Sequence, residues 1–443
     1  MINSRIFAHQ WTTSESREIF SESARVARWL DVIIRLAQAQ AECGIIPAGA
    51  ANEIAKLSEV DLPIDEIALR TRQTSHSTLG MIQVLRELLS EQSAEYVYFG
   101  TTVQDITDNS QILELREVGM LLWRDLWLIE NDLLEMSAKH RTTYMAGRTH
   151  GQPGSPITFG FKAATWDDEI GRHLQRLREG CGRFIVGQFG GAVGTAGFFA
   201  DRAADLKTAF CRKLNLAEPG ISWLSARDRQ AEFGHLLAMC SLSLARIANE
   251  VYNLQRREIG ELAERAQATT VGSITMPHKR NPESSEQIVA LARLASAQAA
   301  VLTETMLHEH ERDGRSWKAE WAVFPEICHY TLAASGMARE LISGLEINAE
   351  AMTRNLGGNA SSEYLLSLMT TRLGKHNAQA LLQDAYRRSK QEQRPIESVL
   401  EGELTEQELD GLSKIEIGAA ENMIDRVVET ARQRRTTETE NWL

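Results

Sequence analysis

From Ile112 the apolar positions Leu115, Leu122, Leu126, Ile129, Leu133 and Met136 recur at steps of three or four residues, or sums of them. That spacing draws one stripe along a helix and matches no strand alternation. An earlier stripe runs from about Ser23 through Val26, Leu30, Ile33 and Ala37, and stops at Gly44 with Pro47 behind it. Glycine followed by proline is a common way for a helix to end. Residues 283–311, rich in Ala, Leu, Glu and Gln, are predicted helical as well. No run of alternating β-branched residues reaches strand length. Proline placement agrees: there is none between Pro63 and Pro153, nor across 157–218, 220–276, 283–324 or 326–394. A proline costs about 3 kcal/mol inside a helix, so these gaps leave room for very long ones. The pattern predicts a nearly all-α chain in three helical domains, 1–108, 109–348 (the long central helices) and 349–443. Helices of that length need neighbours along all of it, so an oligomer built by bundling them is expected.

Composition adds little to the fold and narrows the partners. The 443 residues are 43% apolar and 24% charged, ordinary for a globular protein. A net charge of −12 argues against nucleic acid, whose phosphates call for clustered Lys and Arg. A locally basic pocket for a small anion stays open. Five scattered cysteines without a C-x-x-C suit reduced thiols better than a disulfide frame or a zinc knuckle. The opening MINSRIFAHQW lacks a signal-peptide core, and no apolar run is long enough for a membrane span. The expectation is a cytoplasmic protein with no membrane partner.

Candidate chemistry sits where the helical pattern breaks. Thr74-Ser75-His76-Ser77 reads as a helix N-cap, with His76 the residue a cap does not need. Gly100-Thr101-Thr102-Val103-Gln104-Asp105 precedes the long helix, where hydroxyls and free N–H groups either cap it or receive an anion. Gly147-Arg148-Thr149-His150-Gly151-Gln152-Pro153 holds a histidine in a turn, either a surface residue or one placed to exchange a proton. Residues 272–282, GSITMPHKRNP, put Ser273 six residues ahead of Lys279 in a loop that Pro277 and Pro282 keep from regular helix. A cation there could stabilise an alkoxide. The glycine-rich 187–197 segment has no Walker lysine and no G-x-G-x-x-G, so nucleotide cradling is not expected. His308-Glu309-His310-Glu311, read as helical, would point its side chains apart, and no metal is expected there.

Together these segments resemble the fumarase/aspartase superfamily. GSITMPHKRNP is similar to the signature loop G-S-S-x-M-P-x-K-x-N-P. GRTHGQPGSPITFG (147–160) and YVYFGTTVQD (96–105) resemble the other two family regions as seen in adenylosuccinate lyases. QFGGAVGT (188–195), ARDRQAEF (226–233) and HERDGRSWKAEW (310–321) are nearest to 3-carboxy-cis,cis-muconate cycloisomerases. The resemblance covers about residues 15–345. It implies an all-α homotetramer whose long helices form a twenty-helix bundle, with each active site assembled from three subunits and neither metal nor organic cofactor. It implies anti elimination across a succinyl unit, usually releasing fumarate. Carried onto this chain, Ser273 is the base and His150 the acid for the leaving group. Lys279 and Asn281 stabilise the aci-carboxylate dianion. His76, Thr101, Thr102, Gln104, Thr149 and Arg312 bind substrate.

The departures bear on the substrate, a small polycarboxylate. Ile274 replaces the second loop serine, Val103 a carboxylate-binding serine, and Tyr98 a histidine of adenylosuccinate lyases. Their N-terminal Arg-Tyr pair is missing near Arg5-Ile6-Phe7, and Gly314-Arg315-Ser316-Trp317-Lys318 replaces their phosphate segment. Trp223, Trp317 and Trp321 suggest a tighter site. The leading expectation is C–N cleavage of a small N-substituted succinate. The alternative is a 3-carboxy-cis,cis-muconate cycloisomerase-type lactonising reaction; adenylosuccinate lyase proper and a crystallin-like non-enzyme rank below it.

Overall fold

Thr102 holds an extended backbone, and its N–H donates to Asp105 Oδ2 at 2.9 Å, which satisfies one orphan donor at the start of the longest helix. The computed structural model describes residues 1–266, 275–276, 278–357 and 361–443, apart from the Ser413 side chain. The first stripe forms α1 (Glu22–Glu42), capped by the Ser21 hydroxyl. The second belongs to α2 (Val103–Lys139), 37 residues without a proline. A hairpin follows, β1 (Tyr144–Thr149) and β2 (Gln152–Thr158). Then come α3 (Phe159–Phe184), α4 (Asp228–Leu254), α5 (Glu283–Glu304) and α6 (Gly314–Ser343). Helix α2 packs on α3 and α6, and α4 packs on α3, α5 and α6. One apolar core runs through all of them. A second, separate core gathers Leu365, Met369, Leu382, Ile396 and Leu400. The last helix, α7 (Ala420–Thr437), returns to α2 and α3. Beyond it Trp442 lies over Gly119, where a Cβ would meet the indole at 2.0 Å, and its Nε1–H donates to the Leu177 carbonyl at 2.9 Å.

The first turns of α2 are buried on every side, polar residues included. Buried polar groups call for partners, and for the charged and amide side chains of Asp105, Asp108 and Asn109 the chain supplies them from distant segments. Asp105 accepts from the Gly190 N–H at 2.8 Å and the Gly191 N–H at 3.1 Å. Asn109 donates to the Gln188 carbonyl and accepts from the Gln188 N–H. Arg227 reaches Asp108 at 2.9 and 3.1 Å, and Glu320 on α6 at 2.6 and 2.9 Å. All three of these charged side chains are within 1% of full burial. Burial alone would lower the Arg227 pKa, but the two carboxylates outweigh it and keep the guanidinium protonated.

Two features lie beyond the sequence pattern, and one expectation needs correcting. The chain is nearly all-α as expected, with a short hairpin added: β1 and β2 carry few β-branched residues, and their pairing rests on a two-residue turn at His150-Gly151, φ +52° and +74°, the geometry of tight hairpins. Pro325 lies inside α6; it lacks the N–H that would bond four residues back, and packing along the helix outweighs that loss. Predicted helix 283–311 ends at Glu304, so His308–Glu311 lies in the connection to α6 and the argument from helical spacing does not apply there. Among the described residues no three His, Cys, Asp or Glu side chains cluster as a metal site. No described helix is long and apolar enough to cross a membrane.

Arg227→Met should lower stability by about 3–5 kcal/mol, because it leaves two buried carboxylates without their cation. Denaturant unfolding followed by circular dichroism measures this; an unchanged midpoint would refute the role assigned to the buried pair.

Candidate active site

The start of α2 is the best-defined part of the site. Tyr98 and Gly100, at φ +60° and +71°, turn the chain so that Thr101 and Thr102 stand at the helix N-terminus. The Thr101 hydroxyl donates to the Tyr98 carbonyl at 3.1 Å. Arg312 Nη1 donates to Thr102 Oγ1 at 2.7 Å. Arg312 is exposed, and among the described residues it has no ion-pair partner. A guanidinium, a hydroxyl and a helix N-terminus thus converge where an anion can dock. Beneath them, burial pushes the Asp105 carboxyl up to about 6 against the pull of three backbone N–H donors. Gln104 is buried, its amide donating to Asp108 Oδ2 at 3.3 Å and to the Leu224 carbonyl at 3.1 Å.

His76 stands on the adjoining turn. Its Nδ1 accepts the Leu79 N–H at 3.2 Å, so the histidine is itself the cap of helix Leu79–Glu87. The Tyr98 phenol lies between Thr78 of that turn and Thr102, and burial pushes its pKa up.

The hairpin forms a second station. Thr149 and His150 are exposed at its tip. Arg148 just below anchors it, reaching the fully buried Glu261 at 2.5 and 2.8 Å. Asn355 donates to the same carboxylate at 2.9 Å. Gly147 lies opposite Ser155, whose carbonyl would be 2.9 Å from a Cβ there, so only glycine lets the strands close at the bulge.

The third station is an open cleft of about 1350 Å³ lined by Lys279, Asn281, His278, Arg256 and Arg257. The Lys279 N–H donates to the Met276 carbonyl at 2.9 Å, and Asn281 Nδ2 donates to Glu283 Oε1 at 3.2 Å. Lys279 is exposed and, among the described residues, makes no ion pair. Arg280 and the carboxylates Glu286, Glu346 and Glu350 line the cleft too, with Arg280 paired to Glu346. Ser273, with Ile274 beside it, lies outside the described residues.

Within one chain, therefore, His76, Thr101, Thr102, Gln104 and Arg312 share a region, Thr149 and His150 share another, and Lys279 and Asn281 a third. Among the described residues no hydrogen bond or ion pair joins Thr102 or Arg312 to His150 or Lys279. Sequence reading missed the residues beneath the stations, Asp105, Asp108, Arg227, Glu261 and Glu320. Asp105, Arg227 and Glu320 lie within the segments that carry the family resemblance, where they were given no role; the signal at Asp108 was the set of polar side chains at Asp105, Asp108 and Asn109 interrupting an otherwise packable helix.

A family described as "Lyase" matches residues 8–296. The chain is 37% identical to an N-acetyl-S-(2-succino)cysteine lyase of Dickeya dadantii, over 90% of this chain and 89% of that one. It is 35% identical to a 3-carboxy-cis,cis-muconate cycloisomerase of Pseudomonas aeruginosa, over 92% of each. The crystal structure of 3-carboxy-cis,cis-muconate lactonizing enzyme from Pseudomonas putida superimposes with a TM-score of 0.90 at 30% identity, covering 97% of this chain and 99% of that one. Similarity of this extent in sequence and fold fixes the kinship: the chain belongs to the fumarase/aspartase superfamily of lyases.

Proposed function

We propose that the protein releases fumarate from a small succinate carrying an amine or a thiol at C2, by anti elimination. The observation that carries this reading is Arg312, exposed at the start of α2, hydrogen-bonded to Thr102 and, among the described residues, without a carboxylate partner. A substrate carboxylate is the natural partner for such a group. In the proposed reaction Ser273 takes the proton from the carbon next to one carboxylate. The electron pair moves into that carboxylate, where Lys279 and Asn281 offset the second negative charge. Collapse forms the carbon–carbon double bond and breaks the C–N or C–S bond, its electron pair leaving with the heteroatom. His150 then protonates the leaving group. The products are fumarate and the free amine or thiol.

The separation of the three stations in one chain supports a homotetramer in which each site draws on three subunits. Met239 and Leu242 on α4, with Leu294 and Val301 on α5, leave apolar surface exposed along the long helices, which subunit packing would cover. The relative from Dickeya dadantii, named for a succinylated cysteine, makes sulfur the first substituent to try. The 3-carboxymuconate lactonising reaction is the second reading, favoured by the Pseudomonas aeruginosa relative.

Purified protein should produce fumarate, read by its ultraviolet absorbance, from N-acetyl-S-(2-succino)cysteine or from an N-succinyl amine, and Ser273→Ala should abolish this. Consumption of 3-carboxymuconate alone would transfer the assignment to the second reading. Arg312→Gln should raise KM by roughly ten- to a hundredfold, the loss of a charge-assisted contact of about 1.5–3 kcal/mol; an unchanged KM would remove Arg312 from the site. His150→Gln should discriminate between leaving groups. A thiol, with a pKa of about 8.5, departs as thiolate with little help, whereas an amine needs its proton. The loss in kcat should reach about a hundredfold or more on an N-linked substrate and stay well below that on an S-linked one. Equal losses on both would count against His150 as the acid.

A further inference from the structure

Three ties join the two limbs of chain that flank the Ser273 segment. Gln255 uses both ends of its amide: Oε1 accepts the Glu264 N–H at 2.8 Å, and Nε2 donates to the Arg280 carbonyl at 3.2 Å. The Glu264 carboxylate accepts from the Ser285 N–H at 2.7 Å, the Ser285 hydroxyl at 2.6 Å and the Ser284 N–H at 3.2 Å, at the start of α5. The third tie comes from elsewhere in the chain. Glu346 lies on the two-residue strand Glu346–Ile347, paired with Leu262–Ala263. Its carboxylate accepts the Ala266 N–H at 3.1 Å from the leading limb and both Arg280 guanidinium N–H groups at 2.9 Å from the returning limb.

Arg280 stands in sequence between Lys279 and Asn281, the two residues to which the proposed chemistry assigns dianion stabilisation. Fixing its guanidinium in a fork on a strand-borne carboxylate limits where the backbone of both neighbours can go. As a source of stability the pair is unpromising: the side chains are 41% and 48% exposed, and ion pairs so exposed contribute between nothing and about 1 kcal/mol. Positioning is what such a contact can supply, since a misplacement of about 1 Å can cost a hundredfold in rate.

We infer that Glu346 is a positioning residue for Lys279 and Asn281, acting through Arg280 and the Ala266 N–H to hold both limbs in register in the cleft. This rests on the elimination reading above. Glu346→Gln keeps the shape and removes the charge. It should lower kcat by about ten- to a hundredfold, leave KM within about twofold and leave the melting temperature unchanged. Arg280→Met should do the same, and the double variant should be no slower than either single one, as expected of two groups acting as a unit. A second readout needs no substrate. Hydrogen–deuterium exchange in a peptide covering 278–282 should rise in Glu346→Gln and not in peptides from α4. Unchanged exchange there, unchanged kcat in a wild type that turns over, or strictly additive single losses would each overturn the inference. A wild type that releases no fumarate would overturn the functional reading instead, and the exchange measurement would still decide for or against Glu346.

Discussion

Arg227 sits where three segments would otherwise repel or abandon one another. Asp108 comes from the long helix α2, Glu320 from α6, and Arg227 from the turn that opens α4. Three charges taken out of water are tolerable only as a set. Once that set is formed, the register of α2 against α6 is fixed, and so is the height at which Thr102 emerges from the core. Arg312, two residues before α6 begins, inherits its position from the same contact. The exposed guanidinium that points to a carboxylate ligand is thus placed by a guanidinium no ligand touches. Asp105, sealed by the Gly190 and Gly191 N–H groups, extends the arrangement to the glycine-rich segment, whose small residues let the backbone approach a buried carboxylate.

The division of the site into three stations has a chemical logic. The proposed chemistry calls for groups with conflicting preferences: an exposed guanidinium, an imidazole at a hairpin tip and a cleft that carries Lys279 and Asn281. Held side by side on one folding unit, such groups would pair with each other or shift each other's charge. Kept on separate stretches of one chain, each folds under local control. Arg148 and Glu261 anchor the hairpin, Thr102 and Asp105 cap α2, and Gln255, Glu264 and Glu346 gather the limbs around Lys279.

Much of this was readable from the sequence, for definite reasons. The stripe from Ile112 to Met136 is long enough that periodicity alone fixes a helix, and the structure extends it at both ends to Val103 and Lys139. The hairpin escaped because its strands owe their pairing to positive φ at His150 and Gly151, not to β-branched side chains. His76 was the residue a cap seemed not to need, yet its ring nitrogen is the cap. Motifs marked the stations themselves. The partners beneath them were not legible, because Glu261, Glu320 and Glu346 meet Arg148, Arg227 and Arg280 only after the chain has folded.

Trp442 offers a different consequence, one of timing. Its ring occupies the space left by the absent side chain of Gly119 in the middle of α2, and its indole N–H completes the Leu177 carbonyl on α3. Synthesis at about 5–20 residues per second means that Gly119 emerges from the ribosome tens of seconds before its covering residue exists. During that interval the longest helix of the bundle presents a glycine-floored gap and exposed apolar flanks. The contact that closes this part of the interior is therefore among the last the chain can make, long after α2 and α3 have been synthesised.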